Sequence, residues 1–200
     1  MNNLPFSQAC ENNRAPILAV LKSAFAHCSR VLEIGSGTGQ HGVYFAPELR
    51  HLVWQTSDLA EHHSAILAWQ HAYPAENLLP PIIVDLREDN WPGDFDAVFS
   101  ANTAHIVGWP LVEQMFALVG RHLPKGGVFA LYGPFNYNGE YTSDSNRTFD
   151  HMLRRRNPAS GIRDFEQIVA TANRHGLMLQ HDHAMPANNR LLQFRKLTPE

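Results

Sequence analysis

Two hundred residues, 44% of them hydrophobic, suffice for one domain with a real core, and 16 basic against 19 acidic residues leave a net charge of −3. That balance offers no general attraction to a phosphate backbone, which argues against a nucleic-acid substrate. No apolar run approaches the ~18 residues that span a bilayer, and MNNLPFSQACENNR lacks the basic-then-apolar layout of a signal peptide, so a cytoplasmic location with no membrane partner is expected.

Residues 1–15 are polar, and Pro16 stands where a first helical turn tolerates it. Ile17, Leu21, Ala24, Phe25 and Cys28 share one face, which predicts an amphipathic helix over 16–28 within an N-terminal helical segment, 1–30. Cys10 and Cys28 form no CxxC pair and read as reduced structural thiols. Val31 to His41, VLEIGSGTGQH, organises the chain. Its apolar start reads as a buried parallel strand, and Gly35, Gly37 and Gly39 allow a sharp turn and close approach of a ligand to the backbone. A helix over 40–46 follows, whose free N–H groups favour an anionic or polar ligand. The dinucleotide fingerprint G-x-G-x-x-G would want glycine or alanine at position 40, and the chain has Gln40.

The spacing E-x-G-x-G-x-G, with Glu33 two residues before the first glycine, instead resembles the first motif of class I S-adenosylmethionine (SAM) methyltransferases. In that superfamily the glycine loop lies against the methionine part of the cofactor. The resemblance implies cofactor contacts from Glu33, Gly35, Gly37 and Gly39, and an N-terminal helix near the cofactor mouth that brings Asn13 or Arg14 close. A solvated N-terminal arm is the alternative.

His51 to Ser57 reads as the second strand, ending at Asp58, about 20 residues past the glycines. A nucleotide fold places an acid there whose two oxygens accept both ribose hydroxyls. As a bland alternative, Asp58 caps the following helix, predicted over 60–73 with Ile66, Trp69 and Tyr73 on one face. Pro81 to Val84 is the third strand. The resemblance implies that Asp85, at its end, meets the adenine amino group, with Leu86 flanking the ring. Phe95 to Ser100 is the fourth strand and leads into Asn102 and His105, at the sheet edge where open parallel sheets bind ligands. His105 is a candidate proton acceptor and Asn102 a cofactor or catalytic contact; a structural hydrogen-bonding role for the histidine is the alternative.

Pro110 opens a helix with Leu111, Met115, Phe116 and Val119 inward, LPKGG turns the chain, and Val128 to Tyr132 is the fifth strand. Gly133 to Asn146 is irregular and rich in Gly, Asn, Ser and Tyr; with the short helix after it, 133–163 reads as an acceptor lid. Arg154, Arg155 and Arg156 read as a solvated helix face. A helix over 164–175 starts at Asp164 with Gln167 three residues on, a loose capping box, and stops at Gly176. Leu177 to Met185 and Arg190 to Leu197 read as two antiparallel strands joined by PANN. The plan is therefore one α/β domain over 1–200 with a mostly parallel seven-stranded, Rossmann-like sheet closed by an antiparallel C-terminal hairpin.

Nearly the whole chain further resembles the DUF938, or methyltransferase-like 26, proteins, through NRAPIL, VLEIGSGTGQH, WQTSD, FSANTAHI, YGPF, TSDSN, GIRD and MPANN. That resemblance implies SAM as cofactor and S-adenosylhomocysteine as product, and names no acceptor. By their position in these segments some of Asn13, Arg14, Tyr132, Arg163, Asn188 and Asn189 are expected to contact the acceptor. His62, His63, His181 and His183 lack a third ligand at zinc spacing, so no metal is expected. The expected function is SAM-dependent methyl transfer to a small molecule. The alternatives are SAM binding without catalysis and, less favoured, nicotinamide-dependent oxidoreduction.

Overall fold

A computed structural model describes residues 4–197; the outermost three residues at each end of the expected 1–200 domain lie outside it. Strands β1 (Arg30–Ile34), β2 (Val53–Asp58), β3 (Leu78–Ile83), β4 (Ala97–Ala101), β5 (Val128–Gly133), β8 (Leu177–Met185) and β9 (Asn189–Lys196) form one sheet, with β6 (Phe135–Asn136) and β7 (Arg163–Asp164) paired separately. The order across the sheet is β3-β2-β1-β4-β5-β9-β8. Strands β1 to β5 run parallel, whereas β9 is antiparallel to both β5 and β8. This is the Rossmann-like sheet with an antiparallel C-terminal hairpin that the residue pattern predicts.

The central strands alternate between two cores, as a strand with both faces covered must. Leu32, Ile34, Val98, Phe129 and Phe194 pack toward α4 (Trp109–His122) and α6 (Phe165–Arg174). Val31, Trp54, Phe99 and Ala130 face α1 (Gln8–Ala24), α2 (Gln40–Phe45) and α3 (His63–Ala72). Sheet order reverses between β1 and β4, so their C-terminal ends leave a crevice at the switch point.

Several boundaries differ from expectation for identifiable reasons. Helix α1 starts at Gln8, not Pro16, because the Ser7 hydroxyl caps it by accepting from the Cys10 N–H. Pro16 sits inside the helix, where it removes one main-chain bond without ending it. Strand β3 begins at Leu78 and runs through Pro80 and Pro81, which an edge strand tolerates. Tyr73 follows α3 as an exposed residue stacked on Trp69 instead of facing the core. The irregular stretch is shorter than expected. Phe135–Asn136 pairs with Arg163–Asp164, and α5 (Asp144–Arg156) begins at a Ser143 cap. Asp164 precedes α6 but makes no side-chain capping bond.

Candidate active site

The glycine loop is hung on the end of β2. The N–H groups of Gly35 and Ser36 donate to the Ser57 carbonyl at 3.1 and 2.9 Å, and that of Gly37 donates to Asp58 Oδ2 at 2.7 Å. Gly37 has φ +58° and nothing beside its α-carbon, so its main chain lies bare on a cavity. Gly39, at φ +87°, serves packing: a β-carbon there would stand 2.9 Å from Ile66 Cα in α3, and Gly39 does not line the cavity.

That cavity, about 990 Å³, extends along the C-terminal ends of the strands. Asp58 lines it, with Oδ1 accepting from the Leu59 N–H at 2.7 Å. No side chain caps the short helical turn that follows, so Asp58 is not its N-cap. Asp85 and Leu86 line the cavity beyond β3. Arg87 grips Asp85 with its guanidinium, Nε at 2.8 Å from Oδ1, and holds the carboxyl below its usual range.

Beyond β4, Asn102 takes a left-handed conformation, φ 59°, which asparagine tolerates, and its N–H donates to the Tyr132 carbonyl at 2.9 Å. His105 is 5% exposed and lines the cavity, its ring edge-on to Phe149 at 5.3 Å. Burial, aided by the Arg163 charge, lowers its pKa to about 4, so the imidazole is neutral at physiological pH. Tyr132 lines the same space, and burial raises its phenol to about 12.

Asn13 reaches the cavity from α1, its Oδ1 2.7 Å from His41 Nε2. His41 is a lining residue that sequence reasoning missed, although it ends the quoted motif. It stacks on Phe45, and burial lowers its pKa to about 4. Asn146, although it ends the quoted TSDSN, and Phe149 were missed as well. Asn146 and Phe149 line the cavity.

Other expected contacts fall elsewhere. Glu33 points into the core on the α1–α3 side, accepting from Trp54 Nε1 at 3.0 Å, because strand alternation puts it on the Val31 face. Arg14 lies outside the cavity, paired with Glu11 and stacked over Tyr44. Arg163 spends its guanidinium on main-chain carbonyls of Ala104 at 2.9 Å, Val107 at 2.5 Å and Ala159 at 2.9 Å, behind the wall that carries His105. Asn188 contributes its carbonyl to Asn146 Nδ2 at 3.2 Å, while its neighbours Ala187 and Asn189 line the cavity. The rings of His181 and His183 lie 5.3 Å apart, Asp182 between them in sequence holds Arg190 and Tyr137, and no group of three metal-binding side chains occurs among the described residues.

A family model described as "Protein of unknown function (DUF938)" matches residues 4–196. The chain belongs to that family. Among solved structures, this DUF938 protein is similar to an O-methyltransferase family protein from Burkholderia thailandensis, with TM-score 0.81, 16% identity, and coverage of 93% of this chain and 57% of that one. It is similar to an O-methyltransferase family 2 protein from Planctomyces limnophilus in complex with apigenin, with TM-score 0.84, 14% identity, and 94% and 58% coverage. Human N-acetylserotonin methyltransferase in complex with SAM gives TM-score 0.80, 14% identity, and 96% and 53% coverage. At such identities the likeness is one of fold, and the chain spans a little over half the length of these structures.

Proposed function

We propose that this DUF938 protein is a cytoplasmic, SAM-dependent methyltransferase acting on a small-molecule acceptor. One observation carries the reading. A single cavity holds the bare glycine loop, Asp58 and Asp85 toward one end and Asn102, His105 and Tyr132 toward the other. Its volume, about 990 Å³, lies at the top of the roughly 300–1,000 Å³ of ordinary ligand pockets and leaves room for two molecules.

The residues present fit the cofactor. Gly37 leaves open space that a side chain would narrow, Asp58 offers carboxylate lone pairs for ribose hydroxyls, and Val84 and Leu86 supply apolar flanks for an adenine that donates to Asp85. SAM, when bound, supplies an electrophilic methyl carbon: the acceptor lone pair forms the new bond, the carbon–sulfur pair returns to sulfur, and the acceptor proton leaves. The chain's own work is then to orient and to take that proton. Alignment of reactants is worth roughly 7–11 kcal/mol in favourable cases. His105, neutral and beside the β4 end, receives the proton; a general base is worth about 10²–10⁴-fold when its pKa lies near the working pH, and burial that lowers this one to about 4 sets its share at the low end, about 10²-fold. Segment 133–163 covers the acceptor, contributing Pro134, Asn146 and Phe149 to the wall.

The test is thermal unfolding with SAM, S-adenosylhomocysteine and NADH in parallel, for wild type and Asp58→Ala. A ligand at a hundred times its dissociation constant adds about 2.7 kcal/mol, a rise of roughly 5–11 °C for a chain of this size. The expected result is a rise with both adenosyl ligands, lost in the variant. A rise with NADH alone would refute the reading.

A further inference from the structure

The cavity changes character along the sheet. Every carboxylate and guanidinium among its lining residues, Asp58, Asp85 and Arg87, stands at the β2–β3 end. From the ends of β4 and β5 to the turn between β8 and β9, the polar lining consists of groups such as Asn13, His41, Asn102, His105, Tyr132 and Asn146. None of these carries a charge at neutral pH. The two imidazoles are held neutral by burial, and the phenol keeps its proton.

Nearby charges are engaged outside the cavity. Arg14 pairs with Glu11, Arg154 with Asp150 and Arg190 with Asp182, while Arg163 is fixed on three carbonyls. A charged molecule at the β4–β5 end would therefore lose its hydration without gaining a counter-ion, which is strongly unfavourable. A neutral one would meet ready partners. Asn13 Oδ1 lies 2.7 Å from His41 Nε2, Tyr132 lines the same space, and Phe149 offers an apolar face beside His105.

We infer that the β4–β5 end selects an uncharged small molecule, held by hydrogen bonds to neutral lining groups such as Asn102, Tyr132 and Asn146 and presenting a hydroxyl or N–H to His105. This substrate class rests on the methyl-transfer reading above. A carboxylate, phosphate or ammonium on the acceptor is disfavoured, since no charged side chain among the described residues lines that end.

The experiment uses the full chain with SAM tritiated in the methyl group and a deproteinised small-molecule extract of cells. Products are passed over anion and cation exchangers at neutral pH. Protein-dependent label is expected in molecules that pass both. Label accumulating in species other than SAM that either exchanger retains would overturn the inference while leaving methyl transfer intact. A protein that SAM stabilises but that labels nothing overturns the methyl-transfer reading, and the inference with it. Phe149→Glu sets a carboxylate beside His105 and should lower the label by at least about tenfold, with the SAM-induced stabilisation kept. Labelling by this variant equal to that of wild type would also overturn the inference.

Discussion

Glu33 is the acid of the glycine motif, yet it faces the core, and its ionisation offers a measurable consequence. It is 1% exposed, and burial raises its pKa from 4.5 to about 7, opposed by bonds from Trp54 and Ser36 and aided by the Asp58 charge. The folded protein thus holds this proton more tightly than the unfolded chain. Its stabilising contribution is full below pH 4.5 and is lost as pH rises through about 7. The interval from 4.5 to about 7, at ~1.4 kcal/mol per pH unit, amounts to about 3 kcal/mol. Glu33→Gln keeps an oxygen to accept from Trp54 Nε1 and carries no charge. The variant's stability relative to wild type should therefore grow by about 3 kcal/mol between pH 4.5 and 8. The corresponding gain in relative melting temperature is roughly 6–12 °C. Urea unfolding in half-unit pH steps, followed by tryptophan fluorescence, reads this directly. A difference flat with pH would refute the buried ionisation. SAM-induced stabilisation should survive the substitution, and its loss would return Glu33 to the cofactor site.

Other outcomes follow from the same geometry. His41 and His105 have folded pKa values lowered from 6.5 to about 4, so the stability they contribute is full above pH 6.5 and lost as pH falls through 4. His105→Gln should remove up to about 3 kcal/mol of that acid-side loss, and an unchanged acid slope in urea titrations would count against it. The same variant should lower kcat by about 10²-fold, the low end of general-base effects for a base with so low a pKa, while SAM still stabilises it. Arg163→Met strands the carbonyls of Ala104, Val107 and Ala159 and should cost about 2–4 kcal/mol in urea unfolding; a loss under about 0.5 kcal/mol would mean those bonds are dispensable. Gly39→Ala combines a left-handed backbone with contact at Ile66 and should cost about 2–4 kcal/mol. Gly37→Ala, with open space at its β-carbon, should cost only about 1–2 kcal/mol.

Short-range rules carried most of the fold. The apolar runs with turn residues between them placed all seven strands of the main sheet, and the PANN link made the last two antiparallel. That Asp58 faces the cavity was legible because it ends β2 on the ligand side of a parallel sheet, whereas Asp85, two residues past β3, came from the family resemblance. Reading Pro16 as a helix start concealed the true cap at Ser7, since propensity at one residue outweighed a hydroxyl nine positions earlier. Glu33 could have been assigned from alternation alone: Leu32 and Ile34 share one core, which sends Val31 and Glu33 to the other. Arg163 was not legible. Its partners are main-chain carbonyls, which leave no trace in residue identity.

Gln40 shows why a departure from a fingerprint deserves a structural reading. The glycine or alanine of a dinucleotide loop would present no polar side chain here. Gln40 Oε1 accepts from the Ser7 N–H at 2.6 Å and the Thr38 hydroxyl at 3.0 Å, and its Nε2 donates to the Ser7 carbonyl at 3.3 Å. His41, the next residue, holds Asn13. Adjacent residues of α2 therefore pin α1 at its cap and almost two turns further on, fixing one wall of the cavity. The acceptor end depends on that wall, because Asn13 stays on His41, in the cavity that Tyr132 also lines, only while α1 is held there. The substitution that sets this loop apart from dinucleotide binding thus also helps to build the neutral end of the site.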